Sequence, residues 1–127
     1  MDILSDNNER VAKAQKYLAE VKLKGGTVSA TALAEVFFHI ARRRDEESAS
    51  KAMTFIKSIE NLKIVDAGEK TSILAGALRA KYYKSRQREI SFLDCIHLAT
   101  GIVTNCKKFI SGDRDFEGIE EIHVEVY

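Results

Sequence analysis

Four acidic side chains stand where a folded chain could use them together: Glu35, Asp94, Asp113 and Asp115. Glu35 lies in an apolar pattern with helical spacing, Asp94 opens a second such pattern, and the other two follow the short apolar stretch 108–111. Carboxylate oxygens are the ligands that hard divalent cations such as Mg²⁺ prefer. A cation held there can acidify a water molecule and neutralise charge on a substrate. The residue types therefore favour a site for a hard divalent cation.

Each acid also has an ordinary structural explanation. Ser91 and Asp94 match a helix capping box, with Asp in the place usually held by Glu or Gln, so capping and metal binding are equally open for Asp94. Glu35 shares a helical face with His39, which is typical of a solvated polar face. The segment 111–113 has the composition of a surface turn. The joint placement of the acids is therefore more informative than any one of them.

Basic side chains that could contact phosphates form two groups along the sequence. The first closes a predicted helix, where cations also complement the helix dipole, so both explanations stay open. The second is interleaved with Tyr82 and Tyr83, whose rings could stack on bases. A further cation lies within the acidic turn. The candidates for nucleic-acid contact are Arg42, Arg43, Lys84, Arg86, Arg88 and Arg114.

Alternating helices and short strands must position these residues. Helical periodicity predicts helices that start near residues 6–9, 30, 68 and 91, with a further helix after the polar turn 45–48. Short apolar runs predict strands at 27–29, 62–65, 108–111 and 121–127. Short strands separated by helices favour a mainly parallel sheet covered on both faces. Glu35 and Asp113 would then meet at the rim where parallel strands end, whereas topology alone does not bring Asp94 there.

Composition limits the class of protein. The 127 residues carry 20 basic and 19 acidic side chains, a net charge of +1, so nucleic-acid binding would need local patches. Neither a signal peptide nor an apolar run of the roughly 18 residues needed for a membrane helix is present, and we expect one soluble, cytoplasmic domain over residues 1–127. The two cysteines are expected to be free thiols, and the histidines at 39, 97 and 123 to be structural or surface residues.

Three stretches resemble the successive motifs of PIN-domain proteins: residues 27–36, 92–100 and 108–116. These proteins are metal-dependent ribonucleases that include the toxins of VapBC-type toxin–antitoxin pairs. The resemblance covers roughly residues 27–126. It implies a three-layer α/β/α sandwich with a small, mainly parallel sheet, and an endoribonuclease that uses Mg²⁺ or Mn²⁺. A cognate antitoxin and a homodimeric assembly are implied as well.

The resemblance also assigns roles to individual residues. Glu35 matches the second acid of the family, Asp94 the third and Asp113 the fourth. Ser111 matches the hydroxyl residue just before the last acid, and Asp115 matches an accessory acid of the same turn. All four acids are therefore predicted metal ligands, and the first three are predicted to be catalytic.

The start of the chain departs from the family pattern. The family normally opens with an apolar strand that ends in an acid followed by Thr or Ser, and that acid is its first metal ligand. Residues 1–10 are more similar to the end of the family's first helix, so Asp2 is not assigned this role. The sequence thus predicts a fold without an evident counterpart of the first strand. The alternative function is a PIN-like binding or interaction module with impaired catalysis.

Overall fold

A computed structural model describes residues 8–127 of the chain. Helices and short strands alternate along these residues, as the periodicity predicts. In chain order the elements are α1 (Asn8–Lys24), β1 (Gly26–Ser29), α2 (Thr31–Arg43), α3 (Glu46–Lys57), β2 (Leu62–Val65), α4 (Glu69–Tyr82), α5 (Phe92–Val103), β3 (Lys108–Ser111) and β4 (His123–Val126), with a 3₁₀ turn at Arg114–Phe116 between the last two strands. The segment 1–7, where the family's first strand would be sought, lies outside the described residues.

The strands form two parallel pairs within the described residues. β1 pairs with β2 from Gly26 opposite Leu62 onward. β3 pairs with β4, beginning with Lys108 opposite His123. Helix α5 packs against both β1 and β3, and α2 packs against β1 and α5. The predicted α/β fold with small parallel sheets is confirmed, and α5 is the element that links the two pairs.

Local turn chemistry explains where several elements begin and end. Gly25 follows α1 with φ +88, a conformation that glycine adopts without strain, and its N–H donates to the Val21 carbonyl at 2.7 Å. Asp45 caps α3, since its carboxylate accepts a hydrogen bond from the Ser48 N–H at 2.6 Å. The last strand is shorter than the predicted 121–127, because β3 offers only four residues for it to pair with.

The main core lies between α4, α5 and the chain that follows β3. Helix α5 buries Cys95, Leu98 and Ala99 completely, and Phe116 anchors the turn after β3 in the same cluster. Burial, with a smaller effect from the charge of Asp94, raises the pKa of the Cys95 thiol to about 11, so this thiol stays protonated at neutral pH. Both cysteines are free, as expected.

None of the helices in residues 8–127 combines the length and the apolar composition that a membrane span requires.

Candidate active site

Asp94 lies in the first turn of α5 and forms a complete capping box with Ser91. The Asp94 N–H donates to Ser91 Oγ at 3.1 Å, and the Ser91 N–H donates to Asp94 Oδ2 at 2.9 Å. The capping alternative is therefore confirmed. It fixes the carboxylate at the start of the helix, and a cation would use the other oxygen, Oδ1.

Asp113 and Asp115 lie in the turn that follows β3, and this turn is held by its own side chains. Ser111 Oγ accepts a hydrogen bond from the Asp113 N–H at 3.0 Å, and Asp113 Oδ1 accepts one from the Asp115 N–H at 2.8 Å. Phe116, only 4% exposed, fastens the end of the turn to the core. The two carboxylates are thus presented on an ordered turn at the carboxyl end of a parallel strand.

The electrostatics of Asp115 show that these acids lie close to one another. Its pKa is raised by burial and then by the negative charges of Asp113, Asp94 and Glu89, while Arg88 opposes the shift. The charges come from the turn after β3, from α5 and from the segment before α5. Asp94 and Asp113 therefore both lie within electrostatic reach of Asp115, although topology alone does not predict that Asp94 approaches the turn after β3.

Glu35 reaches α5 through a different contact. Its Oε1 atom lies 2.5 Å from His97 Nε2, and the two side chains are 35% and 18% exposed. Glu35 is therefore more than a charge on a solvated face. His97 follows Asp94 by three residues, so the two side chains lie on neighbouring turns of one helical face. The contact places Glu35 beside the helix that carries Asp94.

Sequence reasoning treated His97 as a structural or surface residue and gave it no part in the site. Its partner lies 62 positions away in the chain, so no local spacing announces the pair. The only available signal was that His97 and Asp94 share a helical face. The structure thus adds one residue to the neighbourhood of the predicted acids.

Within residues 8–127, no group of three or more His, Cys, Asp or Glu side chains converges closely enough to form a ready metal site. Mg²⁺ is usually held by only one or two carboxylates, with water and substrate phosphate completing its octahedral shell. The oxygen donors of Asp94 and Asp113 have the chemistry for such a minimal site. Metal binding by Glu35, Asp94, Asp113 and Asp115 stays a prediction.

The second group of candidate cations lies on a tight turn between α4 and α5. Lys84 and Arg88 form an isolated antiparallel bridge, and Arg86 between them has φ +68. The side chains of Lys84 and Arg86 are exposed. Arg88 instead contacts the turn after β3, where its Nη2 donates to the Glu117 carbonyl at 2.6 Å. Arg88 therefore supports the acidic turn, and Lys84 and Arg86 are the cations available to solvent.

The remaining cations are exposed as well. Arg42 and Arg43 lie in the last turn of α2, where they complement the helix dipole. Arg114 lies between Asp113 and Asp115 in sequence, at the start of the 3₁₀ turn, and is exposed. All three positions are compatible with phosphate contacts. Arg42 and Arg43 are equally well explained by their place at the end of a helix.

The model of the PIN domain family matches residues 1–122, and the chain belongs to this family. PIN domains are generally nucleases. Among solved structures, the fold is similar to the crystal structure of VapBC2 from Rickettsia felis bound to a DNA fragment from their promoter. The TM-score is 0.71 at 18% sequence identity, over 94% of this chain and 88% of that one. No curated protein matches the chain significantly. The predicted family and fold are confirmed.

Proposed function

We propose that this protein is an endoribonuclease that hydrolyses RNA phosphodiester bonds with Mg²⁺ or Mn²⁺. Membership of a family whose members are generally nucleases supports the reaction class. The observation that carries the proposal is the ordered turn after β3, which presents Asp113 and Asp115 together at the carboxyl end of a parallel strand. The pKa of Asp115 is raised first by burial and then by the negative charges of Asp113 and Asp94. Crowded carboxylates of this kind suit a divalent cation and a phosphate substrate better than a neutral ligand.

The acidic residues and the residues that position them would have separate roles in the reaction. Asp94 and Asp113 would hold the cation, which supplies an acidified water and neutralises charge on the phosphate. Ser111 fixes the backbone of Asp113, and Ser91 fixes the helix turn that carries Asp94. His97 holds the carboxylate of Glu35 beside α5. Because these groups are oriented before substrate binds, little reorganisation is needed at the moment of reaction.

Single-stranded RNA is the substrate we propose. The net charge of +1 offers no general attraction to nucleic acid, so affinity has to come from local cations. Lys84 and Arg86 are exposed on the turn that leads into α5. Arg114 lies within the acidic turn, where it can meet a phosphate next to the cation. Arg42 and Arg43 at the end of α2 are a second possible contact for the RNA backbone.

We further propose that the enzyme is the toxin of a toxin–antitoxin pair that acts in the cytoplasm as a homodimer. The similar fold of the R. felis VapBC2 complex supports a protein antitoxin as partner. Expression of the chain alone should then arrest growth, and co-expression of the antitoxin encoded beside it should restore growth. Unimpaired growth with abundant folded protein would contradict the toxin assignment.

The nuclease assignment is tested by incubating the protein with end-labelled single-stranded RNA in Mg²⁺, in Mn²⁺ and in EDTA. We expect internal cleavage with either cation and none in EDTA. Single-stranded DNA of the same sequence is the control for substrate class. Cleavage that persists in EDTA would contradict the metal requirement. Retained RNA binding without cleavage under any cation would instead establish a binding module with impaired catalysis.

A further inference from the structure

Two exposed aromatic rings flank one arginine where α4 and α5 come together. Phe92 is 60% exposed at the start of α5, and Tyr83 is 41% exposed just after α4. The guanidinium carbon of Arg79 lies 4.3 Å from the ring centroid of each. Together with Gly76 and Ala80 these three residues line a shallow cavity of about 270 Å³, which we call the aromatic cleft.

The aromatic cleft is held in place from behind. Arg79 Nε donates a hydrogen bond to the carbonyl of Ile90 at 3.2 Å, and Ile90 is fully buried. Cation–π contacts to both rings then restrain the rings on the fixed guanidinium. The exposed rings of Tyr83 and Phe92 are thus held at the surface in one arrangement. Such rigid, amphipathic surfaces lose little conformational entropy when they bind a flat partner.

The aromatic cleft adjoins the exposed cations along the chain. Tyr83 leads directly into the turn with the exposed cations Lys84 and Arg86. Phe92 is the first residue of α5, the helix that also carries Asp94. A nucleic acid that contacts the two rings would therefore have cations at hand for its phosphates.

We propose that the aromatic cleft binds an unpaired base of single-stranded RNA. The inference deepens the proposed nuclease function and rests on it for the identity of the nucleic acid. Aromatic rings and arginine planes stack on bases of any sequence, and nearby cations hold the backbone. Charge favours a nucleic acid as the occupant, because Arg79 in the cleft and the exposed Lys84 and Arg86 that follow Tyr83 offer partners for backbone phosphates.

Binding can be measured without cleavage, by fluorescence anisotropy of a short fluorescein-labelled oligouridine in EDTA. We expect Phe92→Ala to weaken binding roughly 10-fold or more, whereas Phe92→Tyr, which keeps a ring, stays close to wild type. Phe55→Ala is the matched control, since Phe55 is a comparably exposed ring, 51% accessible, that lies on α3 and does not line the cleft. Binding by Phe92→Ala equal to that of Phe55→Ala would overturn the inference.

A second variant fills the aromatic cleft without removing a ring. A Cβ atom at Gly76 would meet no atom within 4 Å, and replacing a glycine inside a helix favours the helix, so Gly76→Leu should fold. We expect it to weaken oligouridine binding as Phe92→Ala does. Unchanged binding would overturn the inference. So would a fall in dimer content at unchanged affinity, measured by sedimentation, because the cleft would then hold a second copy.

The cleavage assay separates this inference from the nuclease proposal. A wild-type protein that binds oligouridine through Phe92 but cuts no RNA would leave the aromatic cleft standing and overturn the nuclease. A protein that cuts RNA while both cleft variants bind oligouridine normally would support the nuclease and overturn the inference about the aromatic cleft. A wild-type protein without affinity for oligouridine would overturn the inference about the aromatic cleft.

Discussion

Glu35 and His97 meet across α2 and α5, with 2.5 Å between Glu35 Oε1 and His97 Nε2. Through this contact an acid on one helix is oriented by the helix that carries Asp94. Groups that orient a metal-site carboxylate commonly change affinity or activity by about 10- to 100-fold when they are removed. His97 is therefore expected to be a positioning residue that acts through Glu35.

Replacing His97 with Ala should lower the RNA cleavage rate about 10-fold, because Glu35 loses the partner that fixes it. His97→Gln, which keeps a hydrogen-bonding group, should recover part of the loss. His123→Ala is the control, since the His123 side chain is 68% exposed. Cleavage rates and thermal unfolding of the three variants would be compared. Equal rates for His97→Ala and His123→Ala would exclude the positioning role.

Ser91 and Asp94 share a capping box but should respond differently to substitution. Ser91→Ala removes the acceptor of the Asp94 N–H and should lower the free energy of unfolding by about 1 kcal/mol. Its cleavage rate should fall much less than that of Asp94→Asn. Urea denaturation measures the change in stability, and RNA cleavage measures the change in activity. Ser50→Ala is the control for stability, because Ser50 is exposed on α3. An inactive Ser91→Ala with unchanged stability would contradict the division of roles.

Asp115 should make the protein less stable as the pH rises, in the absence of divalent cations. Its folded-state pKa is raised by burial and by Asp113, so the folded protein holds the proton more tightly than the unfolded chain. The stabilisation is present below the unfolded pKa of about 3.9 and is lost as the pH rises through the folded pKa. Asp115→Asn should therefore unfold at higher urea than wild type at pH near 7 in EDTA.

The advantage of Asp115→Asn should shrink as the pH falls through the raised folded pKa of Asp115 and be lost by about pH 4, because the wild-type carboxyl is then also neutral. Glu117→Gln removes an exposed charge from the same loop and controls for net charge alone. If Asp115→Asn and Glu117→Gln shift the urea midpoint equally at every pH, the burial of Asp115 and the charges near it do not lower the stability of the wild-type protein.

The salt dependence of binding should distinguish the two groups of cations. Each contact to a single-stranded phosphate adds about 0.7 to the slope of log Kd against log salt concentration. The double variant Lys84→Gln/Arg86→Gln should lower that slope by roughly 1.4 in oligouridine titrations. Arg42→Gln/Arg43→Gln is the matched double variant on α2. A slope that falls only in the α2 variant would move the phosphate contacts to that helix.

Much of the fold is predictable from local sequence, because short apolar runs bounded by polar residues and glycines define the strands. β2 and β3 begin and end where their patterns predict. The predicted strand 121–127 is longer than β4, since its pairing length is set by β3, a constraint from elsewhere in the chain. Elements whose ends depend on a distant partner are therefore the ones that local pattern misjudges.

The candidate site shows the same difference between features that local sequence encodes and features that depend on distant partners. The capping box at Ser91 and Asp94 lies within four residues and is visible in the sequence. The approach of Asp94 to Asp115 and the contact of Glu35 with His97 depend on how α5 packs, and no local spacing encodes them. Only the i, i+4 spacing within the aromatic cleft, Arg79 to Tyr83, could have been noticed beforehand.

The rate of single-stranded RNA cleavage by Asp113→Asn in Mg²⁺ tests the central claim most directly. Asparagine keeps the size of the side chain and an oxygen to accept the Asp115 N–H, so the turn should stay folded while the negative charge is lost. The expected result is loss of detectable cleavage, with a thermal midpoint close to that of wild type. Glu47→Gln, an exposed acid on α3 with 80% of its side chain accessible, should cleave normally. Cleavage by Asp113→Asn at the wild-type rate would contradict the proposed metal-dependent active site.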